Sequence, residues 1–247
     1  MGLSKMRAVV LSRNLNEVVK AQWVLLILAT FIVVAFIFLA KRTPMTADTA
    51  GYEYAARQLI LGKGLAFDDP NNALVGKYFS PFAFQIKRPE NARLYLGFPP
   101  GFPLLLALPG MVTGVLETIH YVVPVLAAVG LLLTYYLGKW LIKNEPVAVF
   151  AAGIVAFMPI YWRFGTEAWS EIPSMVFVLV GIIFYLWAQD EQGSEREKTL
   201  YMLVAGAALV FSLFIRYSNI TFLFSIGLAE LLANPQKLLK PSQKWTF

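Results

Sequence analysis

Carboxylate and guanidinium groups occur where this chain could use them for chemistry. Asp48 begins a segment whose small and apolar residues recur at helical spacing as far as Gly62, a typical helix stop. A carboxylate at the start of a helix is favoured by the helix dipole, so Asp48 could simply be the N-cap. If it faced a cavity at the membrane surface, it could instead act as a general base. The two interpretations are compatible.

A second polar group lies between residues 163 and 173. It contains Arg163, Glu167 and Glu171, together with a tryptophan. If this segment is helical, the two glutamates share one face, one turn apart. Glutamates beside a membrane span are usually only solvated, but this density of functional groups exceeds what a short connection needs. The segment is therefore a candidate binding site.

Arg216 directly follows an apolar stretch. An arginine in that position either snorkels toward lipid phosphates or holds the phosphate of a bound substrate. Its planar guanidinium suits phosphate oxygens better than a lysine would. Both interpretations remain open from the residues alone.

The composition identifies the chain as an integral membrane protein. Of its 247 residues, 58% are hydrophobic and 15% are charged, whereas soluble domains average about 45–50% and about 25%. The absence of cysteine excludes disulfides and thiolate sites, and the single histidine, His120, excludes a multi-histidine metal site. In a membrane protein, the net charge of +6 reflects orientation and contact with anionic lipid, not nucleic acid. No charged residue lies in the middle of a predicted span, which argues against a transporter or channel.

The apolar stretches predict six transmembrane helices. They cover residues 21–40, 121–138, 146–162, 172–189, 199–215 and 217–229. A further apolar stretch, 98–116, carries so many prolines and glycines that we expect a short juxtamembrane helix there. With that segment not spanning, the short loops obey the positive-inside rule, and only Lys41 and Arg42 run against it.

This assignment predicts an all-α fold with a large outer first loop. The expected divisions are a cytoplasmic N-terminus (1–20), a first span (21–40), an extracytoplasmic loop with juxtamembrane helices (41–120), five further spans (121–235) and a cytoplasmic tail (236–247). Nearly a third of the chain then lies in the outer loop, which is too long for a connector. We therefore expect functional residues there.

The order of these features resembles the N-terminal module of the GT-C glycosyltransferases. The Asp48 segment, ending in Gly62-Lys63-Gly64, follows the first span; Phe98-Pro99-Pro100-Gly101-Phe102 opens the juxtamembrane segment; and Ser170-Glu171-Ile172-Pro173 follows a later span. The closest resemblance is to the branch of dolichyl-phosphate-mannose protein mannosyltransferases and aminoarabinose transferases. The resemblance covers residues 40–220.

The resemblance implies inverting transfer of a sugar from a polyprenyl-phosphate carrier to a protein, lipid or glycan acceptor at the outer face of the plasma membrane. Asp48 would be the catalytic base. Arg216, Arg163, Lys87 or Arg88 would stabilise the leaving phosphate, while Glu167 or Glu171 would bind hydroxyl groups; Tyr52 and Glu53 are further candidate substrate-binding residues. Some members use a divalent metal, and the carboxylates here are compatible with Mg²⁺ or Mn²⁺. The alternative is a catalytically silent or truncated GT-C-like module within a larger membrane complex.

Overall fold

The computed structural model describes residues 3–68, 84–86, 93–189 and 193–233, with side chains described from residue 19 onward. Helices dominate these ranges. They are α1 (Leu3–Leu39), α2 (Ala47–Ile60), α3 (Gly101–Thr113), α4 (Ile119–Ile142), α5 (Glu145–Phe157), α6 (Pro159–Gly165), α7 (Glu171–Ala188), α8 (Glu195–Ile215) and α9 (Ile220–Ala233). Short 3₁₀ turns, Leu116–Thr118 and Tyr217–Asn219, precede α4 and α9.

Four helices of the described ranges are long and apolar enough to cross a bilayer by themselves. They are Val19–Leu39, Leu116–Ile142, Glu171–Ala188 and Glu195–Ile215. The pair α5 and α6 would make a fifth span, bent by 65° between its two halves. The apolar segment Tyr217–Leu232 is shorter. The all-α membrane fold is thus confirmed, whereas the count of six spans and the division of the chain by side stay predictions.

The bend between α5 and α6 has a local cause. Pro159 has no backbone N–H, so the helical hydrogen-bond ladder stops and α6 begins afresh. One carbonyl near the break is satisfied by a side chain instead, since Trp162 Nε1 donates to the Ala156 carbonyl at 2.8 Å. The bend therefore leaves that backbone acceptor paired.

Helix α3 is as short as its prolines and glycines predict. Thirteen residues reach only about 20 Å, less than the roughly 30 Å of a bilayer core. One face is buried against α2 and α8 through Phe102 and Leu106, and the other exposes large apolar residues such as Val112. Such a helix fits the surface of a membrane, where its apolar outer face can meet lipid.

The core of the molecule forms around α4. Fully buried side chains of α1, α3 and α4, including Phe36, Phe102 and Leu131, belong to one apolar cluster that also contains residues of α2. Gly165 allows the close approach of α6 to α1, because a Cβ atom there would fall 1.9 Å from the Phe36 ring. The cluster fixes α2 and α3 on the ends of the longer helices.

A small antiparallel sheet, which the sequence did not predict, precedes α3. Its strands β1 (Ala66–Asp68), β2 (Phe84–Ile86) and β3 (Arg93–Leu96) have the order β1-β3-β2, and Leu94 pairs with residue 67 on one side and residue 86 on the other. Leu94 and Phe84 are buried together, with Phe98 packed against them. The sheet thereby positions the chain that enters α3.

Candidate active site

A cavity of about 220 Å³ lies where α2 and α7 begin and α8 ends. Its lining combines two carboxylates, a guanidinium group, hydroxyl groups and aromatic rings. The lining residues are Asp48, Tyr52, Phe98, Pro99, Trp169, Ser170, Glu171, Ile215, Arg216, Tyr217 and Ser218. Residues far apart in the sequence thus meet in one place. Carboxylates and a cation within one cavity are groups that acid–base and electrostatic catalysis can use.

Asp48 lies in the first turn of α2, but it is not the N-cap. Thr46 caps the helix, since Thr46 Oγ1 accepts from the Thr49 backbone N–H at 3.3 Å and Thr49 Oγ1 accepts from the Thr46 N–H at 3.2 Å. The N-cap interpretation of Asp48 is therefore wrong. The reciprocal threonine cap leaves the Asp48 carboxylate at the positive end of the helix and on the wall of the cavity.

Tyr52 forms the adjoining part of the wall, one helical turn after Asp48. Its ring lies 4.9 Å from the ring of Phe98 and 4.8 Å from that of Phe102, so α2 is packed on the start of α3. Burial raises the pKa of the Tyr52 phenol, against smaller lowering effects of the Ser170 hydroxyl and the Arg216 charge. The phenol is therefore a neutral hydrogen-bonding group at physiological pH.

Arg216 and Glu171 form an ion pair in the opposite wall. Arg216 Nη1 lies 2.5 Å from Glu171 Oε1 and donates to Ser170 Oγ at 3.0 Å. The second carboxylate oxygen, Glu171 Oε2, is buried without a hydrogen-bond partner among the described residues. A guanidinium group has five N–H donors, so Arg216 retains donors for a ligand while Glu171 retains an acceptor.

A buried amide holds the segment that carries Arg216. Asn219 Nδ2 donates to Ser174 Oγ at 2.7 Å and to the Ser212 carbonyl at 2.9 Å. These bonds tie the turn after Arg216 to α7 and to the last turn of α8. The backbone before and after Arg216 is therefore held in place, which positions the guanidinium group.

Glu167 and Glu171 do not share a helix, contrary to the sequence-based expectation. Helix α6 ends at Gly165 and α7 begins at Glu171, with a turn between them. Glu167 forms an ion pair with Lys41, and its Oε2 accepts from Trp169 Nε1 at 3.0 Å. Glu167 is thus turned toward the end of α1 and does not line the cavity.

The other predicted binding residues also lie away from the cavity or outside the described chain. The Arg163 guanidinium carbon is 5.8 Å from the centre of the Trp169 ring, a cation–π contact. Glu53 faces His120 on another side of α2. Lys87 and Arg88 lie outside the described residues. Of the predicted set, the structure brings Asp48, Tyr52, Glu171 and Arg216 to the cavity; direct binding of substrate by any of them stays a prediction.

Sequence reasoning missed three contributing residues. The sequence marks Ser170 only as the first residue of the Ser-Glu-Ile-Pro motif and gives no signal for Asn219, because their side-chain partners lie more than forty residues away in the sequence. Lys41 did carry a signal, since it ran against the positive-inside rule. Its pairing with Glu167, which is only 8% exposed, gives this cation a structural role.

A metal site would need several oxygen or nitrogen ligands around one point. Within the ranges that the structure describes, no three His, Cys, Asp or Glu side chains are grouped so that they could hold an ion. Asp48 and Glu171 are the two carboxylates that line the cavity there. These residues alone do not fit an Mg²⁺ or Mn²⁺ site.

Apolar helices that could cross a bilayer, with a charged cavity at their ends, define a membrane protein with an enzyme-like site. A family model described as dolichyl-phosphate-mannose-protein mannosyltransferase matches residues 98–247, more than half of the chain. The chain belongs to this family and is a membrane glycosyltransferase of the GT-C type. No curated protein and no solved structure matches it. The predicted resemblance is confirmed, although the Asp48 segment precedes the matched range.

Proposed function

We propose that this chain transfers a sugar from a polyprenyl-phosphate carrier to an acceptor hydroxyl with inversion at the anomeric carbon. One observation carries the proposal: the carboxylate of Asp48 and the guanidinium group of Arg216, far apart in the sequence, line the same cavity. Family membership supports the reaction class. The helices that form the cavity lead into membrane-spanning segments, which suits a donor anchored in lipid.

In the proposed reaction, the acceptor oxygen attacks the anomeric carbon while Asp48 accepts the acceptor's hydroxyl proton. The bond between the anomeric carbon and the phosphate oxygen breaks on the opposite face of the sugar. The electron pair of that bond leaves with the polyprenyl phosphate. The free N–H donors of Arg216 stabilise the charge that develops on this phosphate.

Two further groups of the cavity suit recognition of the sugar. Glu171 Oε2 is buried and has no hydrogen-bond partner in the described part of the chain, so a sugar hydroxyl that donates to it would remove the cost of leaving this acceptor unpaired. Tyr52 and Trp169 provide ring surfaces in the same cavity. Glu171 would thus both orient Arg216 and contact the donor.

The test is transfer by the full chain in lipid nanodiscs, with a polyprenyl-phosphate mannose carrying a labelled sugar and a panel of protein, lipid and glycan acceptors. We expect Asp48→Asn to lower kcat on the order of 100- to 10,000-fold, because the amide cannot accept the proton. Asp68→Asn is the matched control, since Asp68 is exposed and lies outside the cavity. Asp48→Asn turnover equal to that of the wild type would contradict the base, and a product that retains the anomeric configuration would contradict inversion.

A further inference from the structure

A largely buried group of titratable side chains lies on the side of α2 that faces away from the cavity. Glu53 Oε1 is 3.9 Å from Nδ1 of His120, and the two side chains are only 6% and 7% exposed. Lys41 and Glu167 form an ion pair beside them, and His120 lines a small pocket with both. We call these four residues the rear cluster.

The rear cluster connects the segments that form the two walls of the cavity. Glu53 belongs to the same helix as Asp48 and Tyr52, and Glu167 lies just before Ser170 and Glu171. His120 belongs to the central helix α4, and Lys41 lies two residues after the end of α1. A change in the rear cluster would therefore shift the walls relative to each other without touching a ligand.

We propose that Glu53 and His120 are positioning residues for the proposed transfer reaction, holding α2 on α4 so that Asp48 faces Arg216. This role rests on the proposed function. Helix α2 is short and lies outside the spans, and its main packing among the described helices is the apolar contact with α3. The polar contact between Glu53 and His120 of α4 would fix how α2 is rotated about its own axis. Apolar packing alone does not specify that rotation.

The buried position of Glu53 makes its contact with His120 sensitive to pH. Burial raises the pKa of its carboxyl to about 7, with Arg57 lowering it and Glu167 raising it. The charged and titratable groups around the pair are Arg57 on α2, His120 on α4, Glu117 before α4, Glu167 before α7, and Lys41 and Arg42 before α2. Helix α3 has no titratable residue.

The direction of the pH effect follows from the raised pKa. The protonated form of Glu53 is favoured in the folded chain, so its contribution is present at low pH and is lost as the pH rises through about 7. Ionisation then places a buried negative charge near Glu167. We expect α2 to be held less tightly above neutrality.

Spin labels can measure this directly, because the natural chain has no cysteine. Ala47→Cys and Thr221→Cys put labels at exposed positions near the two walls. In nanodiscs, we expect a narrow distance distribution at about pH 5.5 and a broader one at about pH 8.5, on either side of the Glu53 titration. The Glu53→Gln variant should stay narrow at both pH values, and His120→Ala should be broad at both.

Glu117→Gln is the matched control, because Glu117 is exposed and lies three residues from His120; it should respond to pH as the wild type does. Equal pH responses in Glu53→Gln and the wild type, or a narrow distribution in His120→Ala, would overturn the proposal. A second readout is the kcat profile of transfer, which should fall above about pH 7 in the wild type and not in Glu53→Gln.

The label distances need no turnover, so the two proposals can fail separately. The expected label response in a chain without transferase activity would support the docking of α2 and contradict the proposed reaction. Transfer by a chain whose labels do not respond would support the reaction and contradict the positioning role.

Discussion

The guanidinium group of Arg216 makes geometric demands that a lysine cannot meet. Its Nη1 already contacts Glu171 and Ser170, so a ligand phosphate must use the remaining N–H groups of the same planar fork. A lysine ammonium would keep the charge, but its three donors share one nitrogen and cannot form the paired hydrogen bonds that the planar fork can give to Glu171 and to the phosphate. The charge of Arg216, its burial and its number of N–H donors therefore all contribute to the proposed binding of phosphate.

We expect Arg216→Lys to weaken binding of polyprenyl phosphate about 10- to 100-fold, because charge-assisted hydrogen bonds contribute about 1.5–3 kcal/mol. Native mass spectrometry and tryptophan fluorescence titration can measure the binding. Arg196→Lys is the matched control, since Arg196 is exposed at the start of α8, outside the cavity, and its variant should bind as the wild type does. Unchanged affinity in Arg216→Lys would remove the phosphate-binding role.

At the scale of elements, the contact between α3 and α8 depends on Gly101. A Cβ atom at this position would lie 2.6 Å from the backbone carbonyl of Phe214, two residues before Arg216. A rigid backbone cannot yield as a flexible side chain can. The start of α3 would have to move away from the end of α8, and with it Phe98 and Pro99, which line the cavity just before the helix.

We expect Gly101→Ala to lower the free energy of unfolding by about 1–3 kcal/mol, the usual cost of overpacking. It should also weaken donor binding, because the displaced contact adjoins Arg216. The comparison is Gly206→Ala in α8, where nothing lies within 4 Å of the added carbon; alanine there should be neutral or slightly stabilising. Equal thermal stability of the two variants in the same detergent would show that α3 is not packed this closely.

Local patterns predicted most of these elements. Apolar length predicted the long helices, helical spacing predicted α2, and the density of prolines and glycines predicted that α3 would be short. The turn between α6 and α7 was not predictable, because α6 ends where Gly165 meets Phe36, a contact between distant segments. The same limit applies to the site: Glu167 and Lys41 are 126 residues apart, and nothing in either local sequence indicates the other.

At the scale of the whole molecule, the bent pair α5 and α6 decides the topology. Between Lys63 and Arg196 lie the long helices α4 and α7 and this bent pair, while α3 is too short to cross. If the pair counts as a span, the chain crosses the membrane an odd number of times and the two residues lie on opposite sides. If it is re-entrant, they lie on the same side.

We expect the first arrangement, because the polar residues near the bent pair, Arg163 and Glu167, lie toward the end that faces α2 and the cavity. Single cysteines at the exposed positions 63, 113 and 196 can be labelled in intact cells with a membrane-impermeant maleimide. Positions 63 and 113 should react and position 196 should not. Labelling of all three would make the pair re-entrant, whereas protection of 113 alone would make α3 a span. If position 63 is labelled from outside, the cavity lies at the outer face, where an acceptor could reach Asp48. If it is protected, an acceptor at the outer face could not reach Asp48.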